Sequence, residues 1–125
     1  MLLDGDISEA SAVRDKISPL FGVVTVKAKS TRALPNGTQV VVEDRFRNPL
    51  AVKTIMNGLG MPSGSGRHPL GKMNVEGIQI VRKALDTVWS NNPEILEPIA
   101  KFYGIDVEAR LASDRIWDEL RYIQE

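Results

Sequence analysis

The chain has 125 residues, enough for one domain with a real core, and its 42% apolar and 26% charged residues are typical of a globular protein. Its 16 basic side chains equal its 16 acidic ones, so net charge predicts no nucleic-acid and no membrane partner. The absence of cysteine excludes disulfides, thiolate catalysis and the usual zinc sites, and one histidine, His68, cannot form an imidazole cluster. No apolar run approaches the roughly 20 residues of a membrane helix, so a soluble cytoplasmic domain is expected.

The first predicted element is a helix that opens at Asp6. Asp6 stands three residues before Glu9, which is the spacing of a capping box. Apolar residues then recur at helical spacing, namely Ile7, Ala10, Val13, Ile17 and Leu20. Pro19 falls late in this run and crowds the carbonyl of Asp15, so a kink is expected there, with the helix continuing through Val26.

Two β-branched segments, 22–29 and 37–44, flank a Pro-Asn-Gly turn. Taken alone they predict a hairpin. A loop excursion is the rival interpretation, because two short strands are marginal without a third strand or a covering helix. Three basic side chains lie in this arm: Lys27, Lys29 and Arg32. The acidic pair Glu43 and Asp44 balances them, which favours a solvated loop.

A short amphipathic helix is predicted after Asn48. Asn48 is a favoured N-cap, and Pro49 suits the first helical position because that amide is unpaired anyway. Five apolar residues fall within one arc of about 140°: Ala51, Val52, Ile55, Met56 and Leu59. Polar residues expected on the opposite side are Lys53, Thr54 and Asn57. Gly58 and Gly60 supply the expected stop.

A longer helix follows, with Asn74 as its predicted cap. One side of it carries Ile78, Val81, Leu85, Val88 and Trp89. Asn92 and Pro93 repeat the Asn-Pro start, Pro98 is expected to divide this segment into two short helical pieces, and Gly104 is expected to end it.

The last segment predicts two more short helices. Asp106 caps a turn or two, and Ser113 starts the final helix. The apolar face of that final helix consists of Ile116, Trp117, Leu120 and Ile123. The whole pattern predicts one all-α domain over 1–125, with five or six short helices and one small hairpin allowed around 23–43.

Glycine-rich segments offer two candidate nucleotide motifs. The segment Gly66–Met73 matches G-x-x-x-x-G-K, but Met73 replaces the Ser or Thr that would hold magnesium, and Pro69 removes one amide. A predicted helix also precedes this segment, where a phosphate loop needs a strand. The segment Gly58–Gly64 is similar to a dinucleotide fingerprint, yet its glycines end a helix, so a helix C-cap is the better interpretation.

The remaining reactive side chains do not form an evident catalytic set. His68 has no carboxylate nearby in sequence to orient it, and Lys53 is expected on an exposed helix face, which does not lower an amine pKa. The acidic residues interpreted as caps and surface charges are Asp86, Glu94, Glu97, Asp114, Asp118 and Glu119. The aromatic residues predicted to anchor helix packing are Trp89, Phe102, Tyr103, Trp117 and Tyr122. A small enzyme using His68 and Lys72 stays open as a rival hypothesis.

Four motifs follow one another in a characteristic order. They are a GDxxEA…PLF helix at Gly5–Phe21, an NPxxVK helix start at 48–53 that leads to Leu59–Met61, an RxPLG segment at 67–71, and a VRKAL helix at Val81–Leu85. Together, over 4–89, they resemble the C-terminal end of the dihydrodipicolinate synthase/N-acetylneuraminate lyase family. Residues 28–44 and the extension 90–125 are extra relative to short family members, which indicates an outlying subgroup of aldolases or hydratase-aldolases.

The resemblance implies a role for the chain within a larger enzyme. Family members are (β/α)8 barrels in which a barrel lysine forms a Schiff base with pyruvate or a related 2-oxo acid. That lysine, the proton-relay tyrosine and the Thr-Thr pair all lie upstream of the matched region, so the resemblance implies the helical C-terminal part, with the barrel itself absent. No catalytic, cofactor-binding or metal-binding residue is carried over, because Lys53 matches a helix lysine of the family and not the Schiff-base lysine.

The partner implied by the resemblance is the barrel portion of the same enzyme, or a second copy in a homo-oligomer. An independent helical protein-interaction module is the alternative, because apolar stripes that lack a barrel to cover them usually find another partner.

Overall fold

The computed structural model describes residues 5–64 and 71–122. In these residues six helices and one two-stranded antiparallel hairpin follow one another. Their bounds are α1 Ile7–Phe21, β1 Val26–Ala33, β2 Gln39–Phe46, α2 Leu50–Leu59, α3 Val75–Asn91, a 3-10 turn Pro93–Ile95, α4 Glu97–Tyr103, α5 Val107–Ala112 and α6 Asp114–Leu120. The predicted all-α class is therefore wrong, since the fold is mixed, with 58% helix and 16% strand.

The first helix begins as predicted and ends earlier. A carboxylate oxygen of Asp6 accepts the backbone N–H of Glu9 at 2.8 Å, so the N-cap is confirmed. The helix ends at Phe21, with Pro19 inside its last turns. The expected continuation through Val26 is wrong, because the chain turns after Phe21 and Val26 opens a strand.

The hairpin forms, so the interpretation of this segment as a solvated loop is wrong. Its strands pair from Val26 opposite Phe46 to Ala33 opposite Gln39. The Pro-Asn-Gly turn closes it, with the amide of Gly37 donating to the carbonyl of Leu34 at 2.9 Å. The helix that covers the hairpin is α3, which contacts β1. The sequence did not indicate which helix, if any, would do so. The packing of a helix on the inner face of the hairpin stabilises it, whereas two strands alone are only marginally stable.

The predicted start and buried face of α2 both need correction. Asn48 does not cap the helix, because α2 begins at Leu50 and its preceding residue, Pro49, makes no capping side-chain hydrogen bond. The buried side consists of Leu50, Ala51, Thr54, Gly58 and Leu59. Thr54, expected to face solvent, is 6% exposed, and its hydroxyl donates to the carbonyl of Leu50 at 2.9 Å. That bond satisfies the hydroxyl inside the core.

Gly58 lies inside α2 and does not serve as its stop. A β-carbon at position 58 would lie 2.6 Å from Cζ3 of Trp117, so the missing side chain makes room for the indole of α6. The helix ends at Gly60, with φ 91° and its amide bonded to the carbonyls of Asn57 and Met56. The stop at Gly60 is confirmed, whereas Gly58 has a packing role.

Helix α3 is the centre of the fold. Its cap is confirmed, since the side-chain oxygen of Asn74 accepts the amide of Gly77 at 2.8 Å. It contacts α1, β1, α2, the 3-10 turn, α5 and α6. The core built around it contains Val23, Val26, Ala28, Leu50, Ala51, Leu59, Met73, Ile78, Val81, Leu85, Val88, Leu96, Val107, Leu111 and Trp117.

The C-terminal helices follow the predicted order. The segment after Asn92 divides into the 3-10 turn and α4, with Pro98 in the first turn of α4 and Gly104 at its C-cap. The carboxylate of Asp106 accepts the amide of Ala109 at 3.0 Å and caps α5 as expected. Ser113 precedes α6 but makes no capping bond with its side chain. The predicted apolar residue Ile123 lies outside the described residues.

Candidate functional site

The segment that matches a phosphate-binding motif is only partly described. Residues 65–70, including His68, lie outside the described residues. Lys72 is described, and its ammonium donates to the backbone carbonyl of Glu119 at 2.9 Å. Helix α3 starts only at Val75, so Lys72 does not stand in the first helical turn, where amides and dipole would meet a phosphate. The described part of the motif therefore lacks phosphate-loop geometry.

Two lysines, Lys53 and Lys72, line one small cleft beside α2. Leu50, Thr54 and Leu120 contribute to its walls, and its volume is about 40 Å3. A cleft of this size holds a few water molecules. It is far smaller than the several hundred Å3, about 300 or more, of typical small-molecule sites. The cleft is too small to enclose an organic substrate.

The polar groups around this cleft are already engaged. The amide of Asn57 donates to the carbonyl of Gly64 at 2.7 Å, and the hydroxyl of Thr54 is bonded within α2. Lys53, expected on a solvated face, is half-buried and has an interaction of its own. The contact of Lys72 with a backbone carbonyl gives that amine a structural role, and within residues 5–64 and 71–122 the cleft does not bring a nucleophile together with a base.

The acidic side chains interpreted as caps and surface charges lie on the surface. Four of them form ion pairs: Glu94 with Lys16, Asp114 with Arg82, Glu119 with Arg115, and Asp118 with Arg121. The hydrogen bond from Lys16 lowers the pKa of the Glu94 carboxyl below its ordinary value of 4.5, helped by a backbone hydrogen bond. Asp86 and Glu97 are exposed. No pair of these carboxylates is held together for acid–base work in the described chain.

Within residues 5–64 and 71–122, no three side chains from His, Cys, Asp or Glu lie together in a group that could hold a metal ion. Over the same residues, every buried side-chain nitrogen or oxygen has a hydrogen-bond partner. An unsatisfied buried polar group often marks a ligand site, so this part of the chain offers no such marker.

Two arginines that sequence reasoning passed over tie the helices together. The Arg110 guanidinium donates to the carbonyls of Gly58 at 2.8 Å and Asn57 at 3.2 Å, and so satisfies the C-terminal end of α2. Arg82 of α3 donates to the carbonyl of Leu111 at 2.7 Å and pairs with Asp114. Sequence patterns hold no signal for these bonds, because the partners lie 29 to 53 residues away.

The aromatic residues behave less uniformly than predicted. Trp117 is 2% exposed and donates its indole N–H to the carbonyl of Arg110 at 3.1 Å, and Trp89 packs against the core. The prediction is wrong for Phe102, Tyr103 and Tyr122, whose exposed fractions are 82%, 40% and 59%. Helical spacing alone did not reveal that α4 presents its aromatic residues to solvent.

The surface of α1 is the clearest candidate for contact with another protein domain or subunit. This 15-residue helix has no buried residue, and its main contact is with α3. Ile7 and Phe21 fall on the same side of the helix at 100° per residue, and their exposed fractions are 69% and 53%. Val24, just beyond, is also exposed. Apolar side chains in this position are available for a partner.

Among the described residues, none of the helices has both the length and the apolar character needed to cross a membrane. Comparison with known proteins finds no family model, no curated protein and no solved structure that matches the chain significantly.

Proposed function

We propose that the chain is the C-terminal helical region of a dihydrodipicolinate synthase-like Schiff-base lyase or aldolase that acts on pyruvate or a related 2-oxo acid. Its role is to buttress the barrel or to hold subunits together, and it carries no catalytic residue. The ordered motifs over 4–89 support this proposal, as does the hydrogen bond by which Lys72 contacts the backbone carbonyl of Glu119. The enzyme belongs in the cytoplasm under this proposal, in keeping with a chain that has no cysteine.

The observation that carries the proposal is the incomplete burial of α1. By resemblance the chain begins at about the end of the eighth barrel helix, so α1 follows the barrel, and one side of it should face α3 while another side should face the barrel. A helix that packs on α3 and leaves Ile7 and Phe21 exposed fits that position. Burial of an apolar side chain of this size contributes roughly 1.5–3 kcal/mol, so these residues would stabilise such contact appreciably.

The proposal is tested by binding to a barrel fragment. A dihydrodipicolinate synthase-like barrel truncated after its eighth helix should bind the chain, and binding should raise the yield of pyruvate adduct trapped on the barrel by borohydride. The chain alone should keep its mass unchanged under the same treatment. I7D/F21D should weaken binding at least about tenfold, because each charge would be buried unpaired in the contact.

The matched control is S8D/A12D, which adds the same charge at exposed positions on another side of α1. It should bind like the unmodified chain. A barrel fragment that does not bind the chain, or equal loss in both double variants, would contradict the proposal. A borohydride-stable adduct on the chain alone would also contradict it.

A second candidate, the independent interaction module, is favoured by a different observation. Phe102 and Val41 are the two most exposed large apolar side chains of the described residues, at 82% and 70%. Neither belongs to the side of α1 that would face a barrel.

A further inference from the structure

The register of the hairpin sorts its side chains onto two faces. Side chains alternate along a strand, so the buried residues Val26 and Ala28 mark the inner face. Asp44 lies opposite Ala28 and belongs to that inner face. There it pairs with Arg32 and accepts a hydrogen bond from the side chain of Asn74 at 3.2 Å. The outer face is left with an excess of positive charge near the base of the hairpin, where it carries Lys27, Lys29, Arg45 and Glu43.

The outer half of β2 combines apolar side chains with an unpaired edge. Val40, Val41 and Val42 follow one another there; Val41 is 70% exposed and its two neighbours are half-buried. Within the described residues the sheet has two strands, so β2 pairs with β1 on one side and with no strand on the other. A row of unpaired backbone groups beside exposed apolar side chains is a template for pairing with another strand.

The turn of the hairpin shows which backbone groups of β2 point to that edge. The amide of Leu34 donates to the carbonyl of Thr38 at 2.8 Å, so these residues form a hydrogen-bonded pair of the antiparallel ladder. Bonded and non-bonded pairs alternate along such a ladder, which makes Thr31 and Val41, three pairs further on, a non-bonded pair. The N–H and C=O of Val41 therefore point away from β1 and toward the unpaired edge.

The two strands of the hairpin are protected differently against further pairing. Edge strands of soluble proteins commonly carry lysine or proline, which discourage the addition of another strand. β1 carries Lys27, Lys29 and Arg32 along its length. β2 contains neither lysine nor proline, and segment 38–42 has no charged residue. The edge of β2 is therefore the one at which another strand can add.

The sequence of this edge is complementary to itself. When two copies of β2 run antiparallel with Val41 of each at the centre, Val40 of one copy lies opposite Val42 of the other. Gln39 then lies opposite Glu43, so no like charges meet. Cross-strand pairs of β-branched residues stabilise a sheet. A shift of two residues that placed Glu43 opposite Val41 would instead set a charge against an apolar side chain, which is unfavourable.

We propose that β2 pairs edge to edge with β2 of a second copy of this chain and joins the two hairpins into one four-stranded antiparallel sheet. A two-fold axis passes between the two Val41 residues, so both copies supply the same surface. Gln39, Val41 and Glu43 of each copy exchange backbone hydrogen bonds across the axis. Four strands form a more stable unit than a hairpin whose residues 31–39 are all exposed. The contact lies wholly within this chain and does not rest on the proposed enzyme.

A single introduced cysteine tests the geometry, because the chain has no cysteine of its own. V41C should form an intermolecular disulfide under mild oxidation, since the Cα atoms of a hydrogen-bonded antiparallel pair lie about 5.5 Å apart, within disulfide range. The matched control is T31C, at an exposed position of β1 directly opposite Val41. Its two copies would lie three strand spacings apart, about 14 Å, so T31C should give at least about tenfold less disulfide-linked dimer on non-reducing electrophoresis.

Charge placed at the two-fold axis tests the affinity. V41K should weaken self-association at least about tenfold, because two ammonium groups would meet across the axis. T31K adds the same charge one strand further away and should associate like the unmodified chain. V41P removes the N–H that points to the edge and leaves the bonds between β1 and β2, so it should also weaken association. Sedimentation equilibrium over about three decades of concentration gives the dissociation constant, and circular dichroism checks that each variant is folded.

Three outcomes would overturn the inference. One is a chain that stays at its monomer mass of 13.8 kDa at every concentration up to about 1 mM. Another is a T31C variant that cross-links as readily as V41C, which would place the contact on the face of the sheet and not at the edge of β2. The third is a folded V41K variant that associates as tightly as the unmodified chain.

Discussion

Helix α3 and the hairpin are both amphipathic, yet they end in very different surroundings. Val81, Leu85 and Val88 of α3 are fully buried, because neighbouring elements surround the helix. The hairpin buries only Val26 and Ala28 near its base, and every residue from 31 to 39 is exposed. The periodicity of apolar residues therefore indicates which face of an element can be buried. The number of neighbouring elements that pack on that face determines how much of it is buried.

The largest expected contrast is between a core residue of α3 and an outer residue of the hairpin. Leu85→Ala should lower the free energy of unfolding by about 2–5 kcal/mol, because it leaves a cavity in the centre of the core. Val41→Ala, at a position 70% exposed, should change it by no more than about 0.5 kcal/mol. Urea unfolding at a dilution that keeps the chain monomeric measures both. Similar losses in the two variants would show that the hairpin is covered as fully as α3.

A second large effect is expected where α2 meets α6. Gly58→Ala should cost about 2 kcal/mol or more, because the new methyl group would overlap the ring of Trp117, which outweighs the usual gain of alanine in a helix. Gly77→Ala on α3 is the matched variant, since its closest contact is the flexible end of Met73 at 2.9 Å. Thermal unfolding should show a smaller loss for Gly77→Ala. If the overlap with the ring is the cause, Gly58→Ala and Trp117→Leu together should cost less stability than the sum of the two single variants.

The link between the hairpin and α3 should give an intermediate effect. Asp44→Asn should lower stability by about 1 kcal/mol, because it removes the charge shared by Ser30, Arg32 and Asn74 at a side chain only 20% exposed. Hydrogen exchange of the β1 and β2 amides should quicken more than that of α3. Glu43→Gln on the outer face is the control and should leave both measurements unchanged. If exchange quickened equally throughout the chain, the hairpin would not be a separate unit of opening.

The smallest effect is expected at the exposed ion pair between α1 and the 3-10 turn. The pKa of Glu94 lies below 4.5 because Lys16 donates a hydrogen bond to it, so any stability from this pair is complete above 4.5 and is lost as pH falls through the lowered pKa. Lys16→Met should move the pKa of Glu94 up toward 4.5, as NMR titration of its side-chain carboxyl would show. Unfolding midpoints above pH 5 should hardly change, since exposed pairs contribute little. An unmoved pKa would mean that the backbone hydrogen bond, and not Lys16, holds it down.

Local signals on the chain predicted much of the helical framework. Asp6, Asn74 and Asp106 cap helices as expected, because a capping bond joins residues only two or three apart. Gly60 and Gly104 end helices for a similar local reason. The interpretation failed at Asn48, which lies outside the capping position, and at Thr54, because α3, α5 and α6 pack on α2 and bury the face that carries this residue.

The sequence by itself determined the order of the helices, the N-caps at Asp6, Asn74 and Asp106, and the apolar side of α3, because each depends on residues within one or two turns. Only the tertiary structure decided that α3 covers the hairpin, that Asp44 turns inward and leaves the outer face basic, and that Phe102 faces solvent. These outcomes depend on pairings between residues far apart in the chain. Periodicity reports the shape of one element and carries no information about which neighbour will cover it.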